Sequence, residues 1–231
     1  MLFIGLDDTD TLETRGTGHL ARFIAAELAN GAGKYEVIGV TRHQLLVDPR
    51  VPCTKNNSSA TIHVREDERI SLDEVMARVR AIMMSDFVPG SDPGLCVARK
   101  VPGAVVEFGR RAKETLVTLA EARSLASSYG MHLEGLGGDE SGMIGALSAV
   151  GLAATGDDGR YVLVGCCRDL AGLQPVQALL DAGVVSVETR EGQHVTDGLV
   201  QTDKLRPARR TGQPVALVEW AGDHWEPIRL D

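Results

Sequence analysis

The chain has 231 residues, 43% of them hydrophobic, and 24 Lys and Arg against 32 Asp and Glu give a formal net charge of −8. That length supports one large or two small domains with cores of their own, and no apolar run approaches the roughly 18 residues that a membrane span requires. The acidic balance argues against a surface devoted to nucleic acid, whose binding draws on many Lys and Arg contacts to phosphate. The four cysteines form neither a CxxC pair nor a dense disulfide framework, so a cytoplasmic, reducing setting is expected.

The chain opens on an apolar strand over residues 2–6, which an early aspartate separates from a signal-peptide pattern. The strand runs into Asp7-Asp8-Thr9-Asp10-Thr11. Unit charges at contact distance in a partly solvated site repel by roughly 4 kcal/mol per pair, so three carboxylates there imply a hydrogen-bond cage, shifted pKa values or a divalent metal. Magnesium fits best, because it binds through one or two carboxylates plus substrate phosphates, and that points to phosphoryl transfer. A solvated Asx-rich turn is the plainer alternative. Gly16-Thr17-Gly18 then precedes a helix expected over residues 18–29, with Leu20, Phe23, Ile24 and Leu28 on one face. The Thr17 hydroxyl either caps this helix or faces a phosphate at its positive end. The glycine run lacks the Lys-Ser or Lys-Thr of a Walker A loop.

A strand follows at residues 37–41, then a polar loop, Pro52-Cys53-Thr54-Lys55-Asn56-Asn57-Ser58, in which Lys55 is a candidate phosphate ligand. Alternating residues 59–64 read as a half-buried strand. Ser71 and Glu74 have capping-box spacing and open a helix carrying Val75, Val79 and Ile82, and residues 86–94 read as a loop. A second capping box, Thr118 with Glu121, opens a helix that Gly130 closes, and the domain boundary is placed just before it, dividing residues 1–115 from 116–231. Downstream come a glycine-rich loop at 135–142, an apolar helix at 142–152, a strand at 161–167 across which Cys166 and Cys167 alternate, a helix at 176–180, and strands at 184–187 and 216–220. The fold class expected is α/β for the first domain and α+β for the second. Basic residues occur only in small clusters, Arg99-Lys100, Arg110-Arg111-Lys113 and Lys204 to Arg210.

Four segments together carry a resemblance. Ile4-Gly5-Leu6-Asp7-Asp8-Thr9-Asp10, Asp48-Pro49-Arg50-Val51-Pro52, Asp92-Pro93-Gly94 and the run from Ser141 to Gly151 are similar, in this order, to segments of the archaeal isoleucine tRNA agmatidine synthetases. Those enzymes use ATP to activate the carbonyl of the first anticodon cytidine, which agmatine then attacks. The resemblance implies a kinase-like N-terminal domain followed by a ferredoxin-like domain. It puts Asp7, Asp8 and Asp10 on the family's metal and nucleotide site and Thr17 on its phosphorylatable threonine. Two departures stand out: a Lys-Thr-Arg-Gly-Asn-Gly type loop is replaced by Thr54-Lys55-Asn56-Asn57-Ser58-Ser59, and an Arg-Gly before the apolar helix by Ser141-Gly142. The family's OB-fold and zinc ribbon have no counterpart in the sequence.

The resulting expectation is an ATP- and Mg-dependent phosphotransferase or ligase. Asp7, Asp8, Asp10 and Thr17 are its catalytic candidates, with the same three aspartates as metal ligands and Thr9, Gly16, Gly18 and Lys55 as nucleotide contacts. Because the RNA-gripping modules are missing and the charge is negative, a small-molecule acceptor with a carbonyl or hydroxyl is expected rather than tRNA, with no membrane partner and homo-oligomerisation left open. Three alternatives remain. One is a tRNA cytidine-modifying enzyme or a subunit of a split one. Another is a haloacid-dehalogenase-like phosphotransferase using Asp7 as nucleophile, since Asp7 to Leu12 also fits the D-x-T-x-T spacing. The third is a non-catalytic nucleotide-binding protein.

Overall fold

Leu2, Ile4 and Leu6 fall on one face of β1 (Leu2–Asp7), and Phe3, Gly5 and Asp7 on the other, because side chains alternate along a strand. The coordinates are a computed structural model that describes residues 1–11, 13, 15–31, 35–53, 56–65, 67 and 71–230. β1 lies between β3 (Ser58–Val64) and β4 (Gly94–Ala98), with β2 (Val37–Gln44) outside β3 and β5 (His132–Gly135) outside β4. Every pairing in this β5-β4-β1-β3-β2 order is antiparallel. Asp7 therefore ends the central strand.

Both faces of that strand are covered. On the Gly5 face lies α5 (Gly142–Thr155), which is buried along most of its length. A Cβ on Gly5 would collide with the Ala146 carbonyl oxygen, so only glycine lets the helix backbone rest on the strand. α3 (Gly103–Glu114) crosses α5 at a second close approach, where a Cβ on Gly151 would collide with the Val105 carbonyl oxygen. α4 (Leu119–Ser128) completes this layer over a core that includes Phe3, Cys96, Phe108, Leu147 and Val150. α1 (Thr17–Asn30) and α2 (Leu72–Ser85) cover the opposite face, that of the fully buried Leu2, Ile4 and Leu6.

The mixed α/β class expected from the sequence is the class observed, while the division of the chain comes later than expected. The first compact unit runs to Thr155 rather than to residue 115, because α4, β5 and α5 pack with the first sheet. The second unit, residues 156–231, contains β6 (Arg160–Leu163), β7 (Leu173–Pro175), α6 (Val176–Asp181), β8 (Ser186–Thr189), β9 (Leu199–Gln201), β10 (Ala208–Arg210), β11 (Gln213–Trp220) and β12 (Trp225–Pro227). β11 pairs antiparallel with β10 and β12 and parallel with β8, over a core that includes Tyr161, Leu179, Val187, Val200, Ala216 and Val218.

Sequence and structure agree where the chemistry is local. The Thr118–Glu121 capping box has both of its bonds, and the Ser71 hydroxyl accepts from the Glu74 N–H. Elsewhere the structure corrects the reading. Strand β6 stops at Leu163, and Cys166 and Cys167 lie in the turn beyond it, the first exposed and the second buried. Phe23 is 47% exposed, since α1 buries Leu20, Ala21, Ile24, Ala25 and Leu28 instead. Among the described residues, no helix is long and apolar enough to cross a membrane.

If the Gly5 contact sets the seat of α5, Gly5→Ala should destabilise the chain by about 2 kcal/mol or more, as overpacking against backbone does. Gly103→Ala, where an added Cβ meets nothing within 4 Å, is the matched control and should change stability little. Denaturant unfolding of the two variants checks this, and equal midpoints would contradict it.

Candidate functional site

The backbone breaks out of β1 at Asp8, which adopts a positive φ of 49°, a conformation that aspartate tolerates better than most side chains. This turn carries the chain back to the start of α1. The Asp10 Oδ1 atom accepts hydrogen bonds from the Thr17 backbone N–H at 3.2 Å and from the Thr17 hydroxyl at 3.1 Å. Thr9 donates to the same hydroxyl oxygen from its own Oγ1 at 3.2 Å and from its N–H at 3.4 Å. Thr9 and Thr17 are both buried. Gly16 is the N-cap and makes no side-chain cap, so Thr17 is the first helical residue and its hydroxyl does not cap the helix. Instead, the Asp10 carboxylate occupies the positive end of α1, where a negative charge is favoured.

Asp7, Asp8, Asp10 and Thr17 form one wall of a cleft of about 210 Å³. The N-terminal turn of α5 contributes Ser141, Gly142, Ile144 and Gly145, and residues 115–117 beyond α3 form its floor. Asp7 is wedged against α5, since a Cβ on Gly145 would overlap its Oδ2. Burial pushes the Asp7 carboxyl well above the ordinary range, and the charges of Asp8 and Asp10 add to the effect. Asp8 is raised to about 6, first by burial and then by the neighbouring Asp92, Asp10 and Asp139 carboxylates.

Asp92 and Asp139 were not anticipated as part of this electrostatic centre. Asp92 Oδ1 accepts from the Asp139 N–H at 2.6 Å, and Asp139 in turn accepts from the Ser141 N–H at 2.8 Å, just ahead of α5. The sequence signal was Asp92-Pro93-Gly94 together with the acidic residues of the glycine-rich loop, which only the fold brings beside Asp8. Thr9, Gly16 and Gly18 do not line the cleft, and Lys55 lies outside the described residues. Among the described residues, no group of three or more His, Cys, Asp and Glu is placed to share one metal ion.

The loop that joins β2 to β3 also lines the cleft, through Leu45, Leu46, Arg50 to Cys53 and Asn56 to Ser58. It is pinned at its base. Leu45 N–H donates to the Asn57 carbonyl at 2.8 Å, the Asn57 side chain donates back to the Leu46 carbonyl at 2.8 Å, and Leu46 N–H reaches the Ala112 carbonyl of α3 at 3.0 Å.

No family model matches the chain. It is 28% identical over 163 residues to TiaS of Methanopyrus kandleri, a 2-agmatinylcytidine synthetase for an isoleucine tRNA, and the match covers 68% of this chain and 35% of that protein. The chain is TiaS-like over part of its length. Its fold is shared with the crystal structure of TiaS in complex with an isoleucine tRNA and ATP, with a TM-score of 0.56 and 22% identity over 65% of this chain and 36% of the other. The complex of TiaS with an isoleucine tRNA, AMPCPP and agmatine gives 0.55 and 21% over 64% and 35%. The chain thus spans about a third of the length of the relatives it matches. These relatives overturn the expectation of a small-molecule acceptor in preference to tRNA, because the named substrate of the relative is a tRNA and both complexes contain one. Neither net charge nor the missing RNA-gripping modules decides the acceptor, since net charge averages over the whole surface whereas phosphate contacts are made locally.

The raised pKa of Asp8 has a consequence for stability. Between the ordinary value of 3.8 and the folded value of about 6, the folded chain binds more protons than the unfolded one. Stability from this group is therefore fully present below the lower value and lost as pH rises through the upper one. Asp8→Asn removes the penalty. The unliganded variant should be more stable than wild type near about pH 7.5, on the order of 1 kcal/mol after allowing for solvent screening, with little difference near about pH 4. Denaturant titrations at the two pH values test this, and an unchanged difference between them would contradict it.

Proposed function

We propose that this chain supplies the ATP-using part of a tRNA cytidine-modifying activity of the agmatidine synthetase type. The observation that carries the reading is the Thr17 hydroxyl hydrogen-bonded to the Asp10 carboxylate at 3.1 Å in the cleft wall of a TiaS-like chain. That distance is within the range a general base needs to take a proton from a nucleophile.

In the proposed reaction the Thr17 oxygen attacks the terminal phosphorus of ATP. The new O–P bond forms as the bond to the ADP oxygen breaks, and the hydroxyl proton passes to Asp10. Thr9, donating two hydrogen bonds to the same oxygen, fixes its direction of attack. The phosphoryl group next moves to the carbonyl oxygen of the cytidine ring. The amine of agmatine then displaces it as phosphate.

Magnesium fits this donor set. Burial does most to raise Asp7 and Asp8, and the neighbouring carboxylate charges that add to it are what a divalent cation relieves; magnesium needs only one or two carboxylates beside substrate phosphates, so the lack of a three-ligand cluster among the described residues is no obstacle. Asp8 and Asp10 are the residues that would hold it. When bound, it would neutralise charge on the phosphates. The same geometry disfavours Asp7 as a haloacid-dehalogenase-type nucleophile, because its carboxyl is wedged against Gly145 of α5, which hinders in-line approach of a phosphate.

Wild type incubated with ATP, agmatine and an isoleucine tRNA transcript should yield an agmatine adduct of cytidine by nucleoside mass spectrometry, and labelled phosphate on Thr17 when tRNA is left out. Thr17→Val should abolish both signals, while Thr17→Ser keeps part of each. Equal labelling in Thr17→Val, normalised to folded protein, would overturn the role given to Thr17, and absence of any cytidine adduct with wild type would overturn the tRNA reading.

A further inference from the structure

The acidic wall of the cleft has used up its own donors. The Thr17 N–H and hydroxyl both point to Asp10, and both Thr9 donors point to Thr17. What remains on that side is negative charge from Asp7, Asp8 and Asp10, with Asp92 and Asp139 close to Asp8. Even with a divalent cation on Asp8 and Asp10, a nucleotide polyphosphate carries further negative charge, which a cationic side chain elsewhere in the cleft would meet. Among the described residues that line the cleft, Arg50 is the one positively charged side chain.

Arg50 is held in a defined pose. Its Nε donates to Asp48 Oδ1 at 2.8 Å and its Nη2 to Asp48 Oδ2 at 2.7 Å, while its backbone N–H reaches Asp48 Oδ1 at 2.9 Å. Pro49 and Pro52 restrict the backbone on either side, and the Val51 N–H closes the turn on the Asp48 carbonyl at 3.0 Å. Of the five N–H groups on a guanidinium, the two on one edge serve Asp48, which leaves the rest for a ligand in a fork already oriented. The pair is solvent-facing, with side-chain exposures of 71% for Arg50 and 19% for Asp48, so it adds little to folding stability. An ion pair that adds little to folding, and whose guanidinium lines the cleft, leaves its remaining donors available to a ligand.

We infer that Arg50, from the β2–β3 loop lining the same cleft, grips the polyphosphate of the nucleotide, and that Asp48 is its positioning residue. This rests on the nucleotide reading given above. Neither residue belongs to the acidic turn, so their roles can be tested apart from the chemistry at Thr17.

Binding of Mg-ATP, inorganic tripolyphosphate and adenosine to the whole chain, measured by calorimetry, tests the assignment. Arg50→Ala should weaken ATP and tripolyphosphate by about tenfold or more, the usual cost of a lost charged hydrogen bond, and leave adenosine unchanged. Arg50→Lys should recover only part of the loss, because an ammonium cannot reproduce the fork. Asp48→Asn keeps the cation but loosens it, and should weaken tripolyphosphate about threefold with no change in unfolding midpoint. Wild-type affinity for ATP in Arg50→Ala would overturn the inference while leaving the nucleotide site intact. If wild type bound neither ATP nor tripolyphosphate, the nucleotide reading itself would fall and the inference with it.

Discussion

The hydrogen bond from Thr17 to Asp10 is the interaction on which this site depends. It closes a turn between the end of the central strand and the start of α1, so the acidic segment is held as a wall rather than left as a solvated loop. Because the carboxylate already satisfies the first N–H of α1, the helix end is not an open anion site of the kind found in nucleotide-binding loops. The hydroxyl is thereby presented next to a carboxylate, and under the proposed function phosphate recognition falls to the β2–β3 loop.

The crowding of carboxylates makes sense within that arrangement. Five of them, Asp7, Asp8, Asp10, Asp92 and Asp139, converge on one end of the sheet, and the two most enclosed are pushed upward in pKa. Such a centre costs stability in the unliganded chain, and under the proposed function a cation bound with a nucleotide would relieve it. Stability traded for binding at a functional centre is a common pattern. The fold tolerates it because α5 rests directly on the strand through Gly5 and fixes Asp7 against Gly145, which leaves the wall little freedom to relax.

Much of this was legible in the sequence where the signal is short-range. The opening strand, α1, the Thr118–Glu121 capping box, the Ser71 N-cap and the acidic turn follow from alternation, helical spacing and side chains that bond to their own neighbours. The domain boundary was not legible, since an apolar helix such as α5 announces burial without saying which sheet buries it. Strand β4 and helix α3 were hidden for a related reason: one sits in a run of Pro and Gly, and the other begins at Pro102-Gly103, which reads as a turn. Asp92 and Asp139 join the site only through β-sheet register and the docking of α5. The acceptor was misjudged because an overall negative charge says little about any one face.

A crystal structure of the chain with magnesium and a non-hydrolysable ATP analogue tests the central claim most directly. The account predicts the terminal phosphorus within about 3.5 Å of the Thr17 hydroxyl oxygen, the separation of a near-attack pose, with that hydroxyl still bonded to Asp10. A triphosphate bound elsewhere on the chain, or in the cleft with its terminal phosphate turned away from Thr17, would contradict it.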